Sequence, residues 1–304
     1  FALASALDAD SEGEEGKYYV WSEAEIDAVL GADAGPFKHL YDVTKHGNWE
    51  GSNILNRSHH MDWIDTTEAA MRPLLEKLLE VRGKRIPPMR DDKVLADWNG
   101  MIVAALARAG IVYGRPDWIQ IATTVFKTVT LKMTAPDGRL RHALCDGRLA
   151  HPAVLDDYAQ LARAALMLAE ATADQTYIGL AEQFVETVER HYGDDNGGGY
   201  FLAANDTTDL IVRSKPGHDN AVPSGNGAMA EVLVRLHFLT GQAVYREQAE
   251  RLFNAFAGDT PRSNINHPTL LIAYEMLNRG TQVVIAGDDA DAAALWQTAL
   301  ASPN

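Results

Sequence analysis

LDDYAQLARAALMLAEATADQTYIGLAEQFVETV, residues 155–188, reads as two helices joined by a short polar break. The first is apolar nearly all round, with Ala162, Ala164, Ala165 and Ala169 among its residues, and such a helix needs protein on most sides. The second is amphipathic and gathers Glu182, Glu186, Glu189 and Arg190 on one face. The same plan recurs in DWNGMIVAALARAGIVYGRPDWIQIATTVFKTV from Asp97 and in PSGNGAMAEVLVRLHFLTGQAVYREQAERLFNAF from Pro223. In each copy an aromatic residue opens the second helix and an alanine follows four positions later: Trp118/Ala122, Tyr177/Ala181 and Tyr245/Ala249. Spacings of 59 and 68 residues mark a repeating helical hairpin.

The difference between the two helices assigns their places. Apolar helices form an inner layer and amphipathic ones an outer layer, so the hairpins curve into an all-α, α/α toroid whose ligand site lies where the inner helices begin. Further helices are expected at about 22–30, 66–82, 266–279 and 290–300, giving roughly ten in all. The Gly-rich stretches at 135–149 and 193–203 read as tight turns with short strands. TQVVIAGDDADAAAL (281–295) reads as a strand, a turn and a helix that close the fold. One isolated glycine after one strand does not make a nucleotide site.

Composition narrows the function. The chain has 304 residues, 46% of them hydrophobic, enough for a sizeable core. With 42 acidic and 27 basic residues the net charge is −15, which disfavours nucleic acid as a partner. The longest apolar run, from Met101, is broken by Arg and Gly and is too short for the ~20 residues of a membrane span. Cys145 is the only cysteine, so an internal disulfide and a Cys-rich zinc site are excluded, as suits a reducing cytoplasm. The chain begins at Phe1, shows no signal-peptide pattern, and is read as lacking upstream residues.

Each inner helix is preceded by a polar stretch. RDDKVLADWNG (90–100) offers Asp92, Lys93, Asp97, Trp98 and Asn99, and HPAVLDDY (151–158) offers Asp156, Asp157 and Tyr158. RSKPGHDNAVPSGN (213–226) offers Arg213, Lys215, His218, Asp219, Ser224 and Asn226. Any one of these acids or hydroxyls taken alone, Asp97 or Ser224 above all, is an ordinary helix cap. Caps need one polar residue each, however, whereas these stretches add second acids, cations and rings. Paired carboxyls with Trp and Tyr suit a sugar cleft: rings stack on a pyranose, and one carboxyl of raised pKa donates a proton while another stays charged. The candidate catalytic groups are Asp92, Asp157 and Asp219. Lys93, Trp98, Asn99, Asp156, Tyr158, Arg213, Lys215, Ser224 and Asn226 are candidates for ligand binding. The ten histidines show no zinc-binding spacing, His142 is merely the histidine nearest Cys145, and no metal or other cofactor is expected.

The acidic stretch ALDADSEGEEGKYYVW (6–21) allows three readings. Asp8, Asp10, Glu12 and Gly13 match the first half of a calcium loop, but Tyr19 stands where its bidentate Glu belongs. Asp8, Asp10 and Glu12 are otherwise cleft-lining acceptors or members of a solvated turn, with Tyr18, Tyr19 and Trp21 in a short strand beneath. GNWEGSNIL (47–55) reads as a turn enclosing Trp49.

In this order ALDADSEGEEGKYYVW, GNWEGSNIL, DDKVLADWNG, LDDYA and DNAVPSGN resemble the C-terminal part of the thioredoxin-domain-containing family known in mammals as spermatogenesis-associated protein and in bacteria as YyaL-like proteins. The resemblance covers nearly the whole chain. It implies one toroid domain over residues 1–304, similar to six-hairpin glycosidases and N-acylglucosamine 2-epimerases, with the first hairpins and a thioredoxin-like domain upstream and absent here. The sequence departs from the family at Ala96-Asp97, where Thr-Ser is frequent, and at Gly227, where Ser is usual. The expected partners are a small ligand such as a sugar and the protein's own thioredoxin-like domain, with neither nucleic acid nor membrane. Two functions follow: a carbohydrate-processing domain, epimerase- or glycosidase-like, or a non-catalytic toroid that binds a protein or peptide for the thioredoxin-like domain.

Overall fold

The computed structural model describes residues 1–208, 210–258, 264–287 and 289–301. The chain folds as two compact units, one of residues 6–91 and one that joins residues 1–5 to the chain from Asp92 onward.

The smaller unit contains β1 (Ala6–Leu7), β2 (Asp10–Ser11), β3 (Glu14–Glu15), α1 (Glu23–Leu30), α2 (Ala34–Leu40), α3 (Asp65–Arg82) and β4 (Arg90–Asp91). β1 pairs antiparallel with β4, so the two ends of the unit close on each other. β2 and β3 form a hairpin whose turn residues, Glu12 at φ 56° and Gly13 at φ 77°, take the left-handed conformation that a tight two-residue turn demands. Ser22 caps α1 and Glu25 reaches back to the Ser22 backbone, a reciprocal capping box. Trp21, Ile26, Phe37, Leu74 and Leu78 form the core of this unit. The expected strand through Tyr18 and Tyr19 is a turn instead, and Trp21 alone makes a β-bridge, to Asn53. Arg85 explains the difference: its guanidinium lies 4.2 Å from the Trp21 ring centre and donates to the carbonyls of Tyr18 (3.0 Å) and Val20 (2.8 Å), groups a strand ladder would otherwise use.

The larger unit contains β5 (Val94–Leu95), α4 (Ala96–Val112), α5 (Pro116–Met133), β6 (Arg141–Cys145), β7 (Arg148–Pro152), α6 (Leu155–Thr172), α7 (Thr176–Tyr192), α8 (Gly225–Thr240), α9 (Ala243–Phe256), α10 (Pro268–Arg279) and α11 (Ala290–Ala301). It is the α/α toroid expected from the repeats. α4, α6, α8 and α10 lie side by side as the inner layer, and α5, α7 and α9 each fold back outside the helix before them. Small residues let the inner helices approach closely. A Cβ added at Gly100 in α4 would sit 2.8 Å from the Gln160 carbonyl carbon in α6, and Ala104, Ala107, Ala159, Ala162 and Ala165 are all buried. Outside, Ala122, Ala181 and Ala249 are fully buried, which accounts for their recurrence in the repeat.

Two further features frame this unit. α11 returns against α4, and Arg108 donates to the Leu300 carbonyl at 2.6 Å, so the last helix does close the fold. The strand expected before it does not form: residues 281–287 have no ladder partner among the described residues, and residue 288 lies outside them. Between α6 and α8, Arg163 pairs with Glu231 (2.9 Å) and Glu170 with Arg235 (2.6 Å), while Arg235 also holds Glu231 along α8 (2.9 Å).

Candidate functional site

The starts of the inner helices share one rim of the larger unit. Asp157 at the start of α6 accepts the backbone N–H of Asp97 at the start of α4 (3.1 Å). A Cβ at Gly225, the first residue of α8, would lie 3.0 Å from Asp156 Oδ2, so α6 and α8 begin together. Asp219 joins α8 to α10 by accepting from the Ser224 N–H and the Thr269 N–H, both at 2.8 Å.

Four titratable groups converge where α4 and α6 begin. Asp157 is fully buried, and its oxygens accept from the N–H groups of Asp97 and Val154 (2.8 Å). His142 places Nδ1 at 3.0 and 3.1 Å from the two oxygens of Asp157. Because the carboxylate can only accept, Nδ1 carries the proton. His142 is delivered by β6, held in register between β5 and β7 through Leu95, Ala143 and Ala150. The bond to Asp157 raises the His142 pKa against the opposing effect of burial. Burial raises the Asp97 pKa, helped by the charge of Asp157. Burial also pushes Asp156 up to about 6, with the charges of Asp157 and Asp97 adding to it. A carboxyl raised to about 6 beside an imidazole whose pKa is raised by its acidic partner is the kind of pairing that proton transfer needs.

Ligand atoms of Asp97, His142 and Asp157 all lie within 4.8 Å of one another, the spacing of a metal-binding triad. Both oxygens of Asp157 are already engaged by N–H groups, so hydrogen bonding accounts for the cluster.

The other candidate residues divide by what they touch. Trp98 is 43% exposed and keeps its ring available at the rim. Asp92 and Lys93 are exposed in the segment before β5. Tyr158 is buried, and its hydroxyl accepts the Leu140 N–H (3.0 Å), which makes it a core group. Asn99 exchanges hydrogen bonds with both backbone groups of Leu3. Ser224 caps α8 through the Gly227 N–H, while Asn226 bonds both backbone groups of Tyr200 and the Pro216 carbonyl. Arg213 donates to the carbonyls of Ala203 and His191, and Lys215 pairs with Asp194 at 2.8 Å. Asp8, Asp10 and Glu12 are exposed at the β2–β3 hairpin of the smaller unit, where Asp8 accepts the Asp10 N–H and Glu12 faces Lys17 at 3.4 Å. His142 is absent from the candidates read off the sequence, which marks it only as a neighbour of Cys145. The sole signal for it is its place on a strand flanked by turn residues.

Solved structures share the chain's fold, the α/α toroid of glycosidase-like proteins. A glycoside hydrolase family 76 α-mannanase from Bacteroides thetaiotaomicron matches with TM-score 0.54 at 13% identity, over 77% of this chain and 66% of its own. Cellobiose 2-epimerase from Spirochaeta thermophila matches with TM-score 0.50 at 17% identity, over 63% and 55%. In sequence the chain is related to spermatogenesis-associated protein 20: it is 30% identical to the human protein and 29% identical to the rat protein, over 93% of its length in each case. It spans 42% of the human protein. No protein-family model matches the chain.

Proposed function

We propose that the larger unit binds and processes a carbohydrate by acid–base chemistry, epimerase- or glycosidase-like, at the rim where α4 and α6 begin. The observation that carries this reading is the convergence of Asp97, Asp156, Asp157 and His142 at the helix starts of a toroid whose fold is shared with a mannanase and an epimerase. Asp156, whose carboxyl is pushed up to about 6, exchanges a proton with a ligand hydroxyl, and the exposed Trp98 ring stacks on the apolar face of a sugar. The same reading puts this activity in the cytoplasm, beside a thioredoxin-like domain of the same protein. No helix among the described residues is long and apolar enough to cross a membrane. Isothermal titration of the intact protein with glucose, mannose and cellobiose tests the proposal. Heat that vanishes in Trp98→Ala supports it, and no heat with any of the three overturns it.

The second reading, a non-catalytic toroid that binds a peptide for the thioredoxin-like domain, draws on a specific observation. Asp157, Asp219, Ser224 and Asn226 all bond backbone groups of the rim. On that reading Asp157→Asn lowers stability and leaves any turnover by the full-length protein unchanged.

A further inference from the structure

We propose that His142 is the residue that moves a proton at this rim, through Nε2, with Asp157 as its positioning residue and a neutral, hydroxyl-bearing molecule as its ligand. The inference rests on the reading that the rim faces a ligand, and it changes which group does the chemistry. Asp157 cannot touch a ligand, because it is fully buried and its oxygens are engaged by Asp97, Val154 and His142. His142 can, because 30% of its side chain is exposed. Its Nδ1 is held by Asp157, so the proton-free lone pair is at Nε2, on the far side of the ring, and no described residue hydrogen-bonds that atom. This is the logic by which a buried acid fixes the tautomer and orientation of a histidine and stabilises its charged form.

The surroundings select the ligand. The ionisable groups that face His142 are Asp156 and Asp157 from α6 and Asp97 from α4, all acidic. A phosphorylated or carboxylated molecule would add negative charge beside three carboxyl groups, whereas a neutral polyol adds none. The step balances without a co-reactant. The Nε2 lone pair takes the proton of a ligand hydroxyl, the electron pair of the broken O–H bond stays on oxygen, and the imidazolium formed is neutralised by Asp157. Return of that proton to the ligand restores the ring. The rise in the His142 pKa has the direction this charge state requires.

Long-range proton–nitrogen NMR of the intact chain decides the assignment independently of any sugar. The expected spectrum shows the neutral ring protonated at Nδ1, a titration above the 6.5 of an ordinary histidine, and a fall of that value in Asp157→Asn. A neutral ring protonated at Nε2, or a titration that Asp157→Asn does not move, overturns it. With cellobiose as probe, His142→Gln is expected to lower turnover by about 100-fold with binding changed less than about threefold. Undiminished turnover in His142→Gln overturns the proton role. Absence of cellobiose binding in the unmodified protein overturns the choice of a sugar, and the NMR titration then decides the state of the histidine by itself.

Discussion

The carboxylate of Asp157, on the first turn of α6, accepts the backbone N–H of Asp97, on the first turn of α4, at 3.1 Å. The same carboxylate caps its own helix at Val154 and holds His142, so one buried acid ties two inner helices and a strand together. Asp157→Ala would orphan these donors, two of them backbone N–H groups. A loss of about 3–5 kcal/mol in urea unfolding is expected, and a smaller loss in Asp157→Asn, which keeps one acceptor.

Asp156 costs stability where Asp157 supplies it. Its pKa stands at about 6 in the fold against an ordinary value of 3.8. Below the lower value the group is neutral in both states, and above it the folded chain keeps a proton that the unfolded chain releases. Stability therefore falls as pH rises between the two values. Asp156→Asn removes this penalty, so thermal melts are expected to show a gain of about 1–3 kcal/mol at pH 7 and none at pH 3.

His142 titrates with the same sign from a different cause. Its folded pKa is raised by Asp157, so the stabilising pair is complete below the ordinary histidine value of 6.5 and is lost as pH climbs through the higher folded value. The stability gap between the unmodified protein and His142→Gln is expected to narrow between pH 6 and pH 9. Paired denaturation curves at the two pH values would show it, and a constant gap would contradict the pairing.

Gly100→Ala tests the close approach of α4 and α6. The added methyl would meet the Gln160 backbone at 2.8 and 2.9 Å, and backbone cannot rotate away as a side chain can. Overpacking by one methyl at such a contact is expected to cost about 1–3 kcal/mol, although alanine is the better helix former, and urea unfolding would measure the balance.

Asn226 has the polarity of a ligand group and the surroundings of a structural one. It is fully buried and bonds the Tyr200 N–H, the Tyr200 carbonyl and the Pro216 carbonyl at 2.8–2.9 Å. Asn226→Ala is expected to destabilise by roughly 2–4 kcal/mol, and Asn226→Asp by a comparable amount because two carbonyls would then face a carboxylate. Thermal melts of the two variants beside the unmodified protein would measure both losses.

The hairpins are legible because burial writes itself into sequence. Ala122, Ala181 and Ala249 recur where outer helices meet inner ones, and the all-round apolar character of residues 155–172 follows from neighbours on every side. α2 leaves no such mark, since it spans only Ala34–Leu40 and carries Gly35 and Pro36 in its first turn, both poor helix formers. At the site, Asp156 and Asp157 stand out as an acidic pair at a helix start. Sequence shows that Asp219, Arg213 and Asn226 are polar, but it does not show that their partners are nearby backbone groups. His142 is hidden for a related reason: its contact with Asp157 exists only through the register of β6 between β5 and β7.

The ion pairs that link Arg163, Glu231, Arg235 and Glu170 have a mechanical meaning. Sliding α8 along α6 by one helical turn, about 5.4 Å, would leave several half-buried charges without counterparts. The ladder thus works as a vernier scale between two otherwise greasy cylinders. By fixing their axial offset at mid-length, it dictates how far Asp156 stands from the opening turn of its neighbour, many residues away from the charges that set the distance.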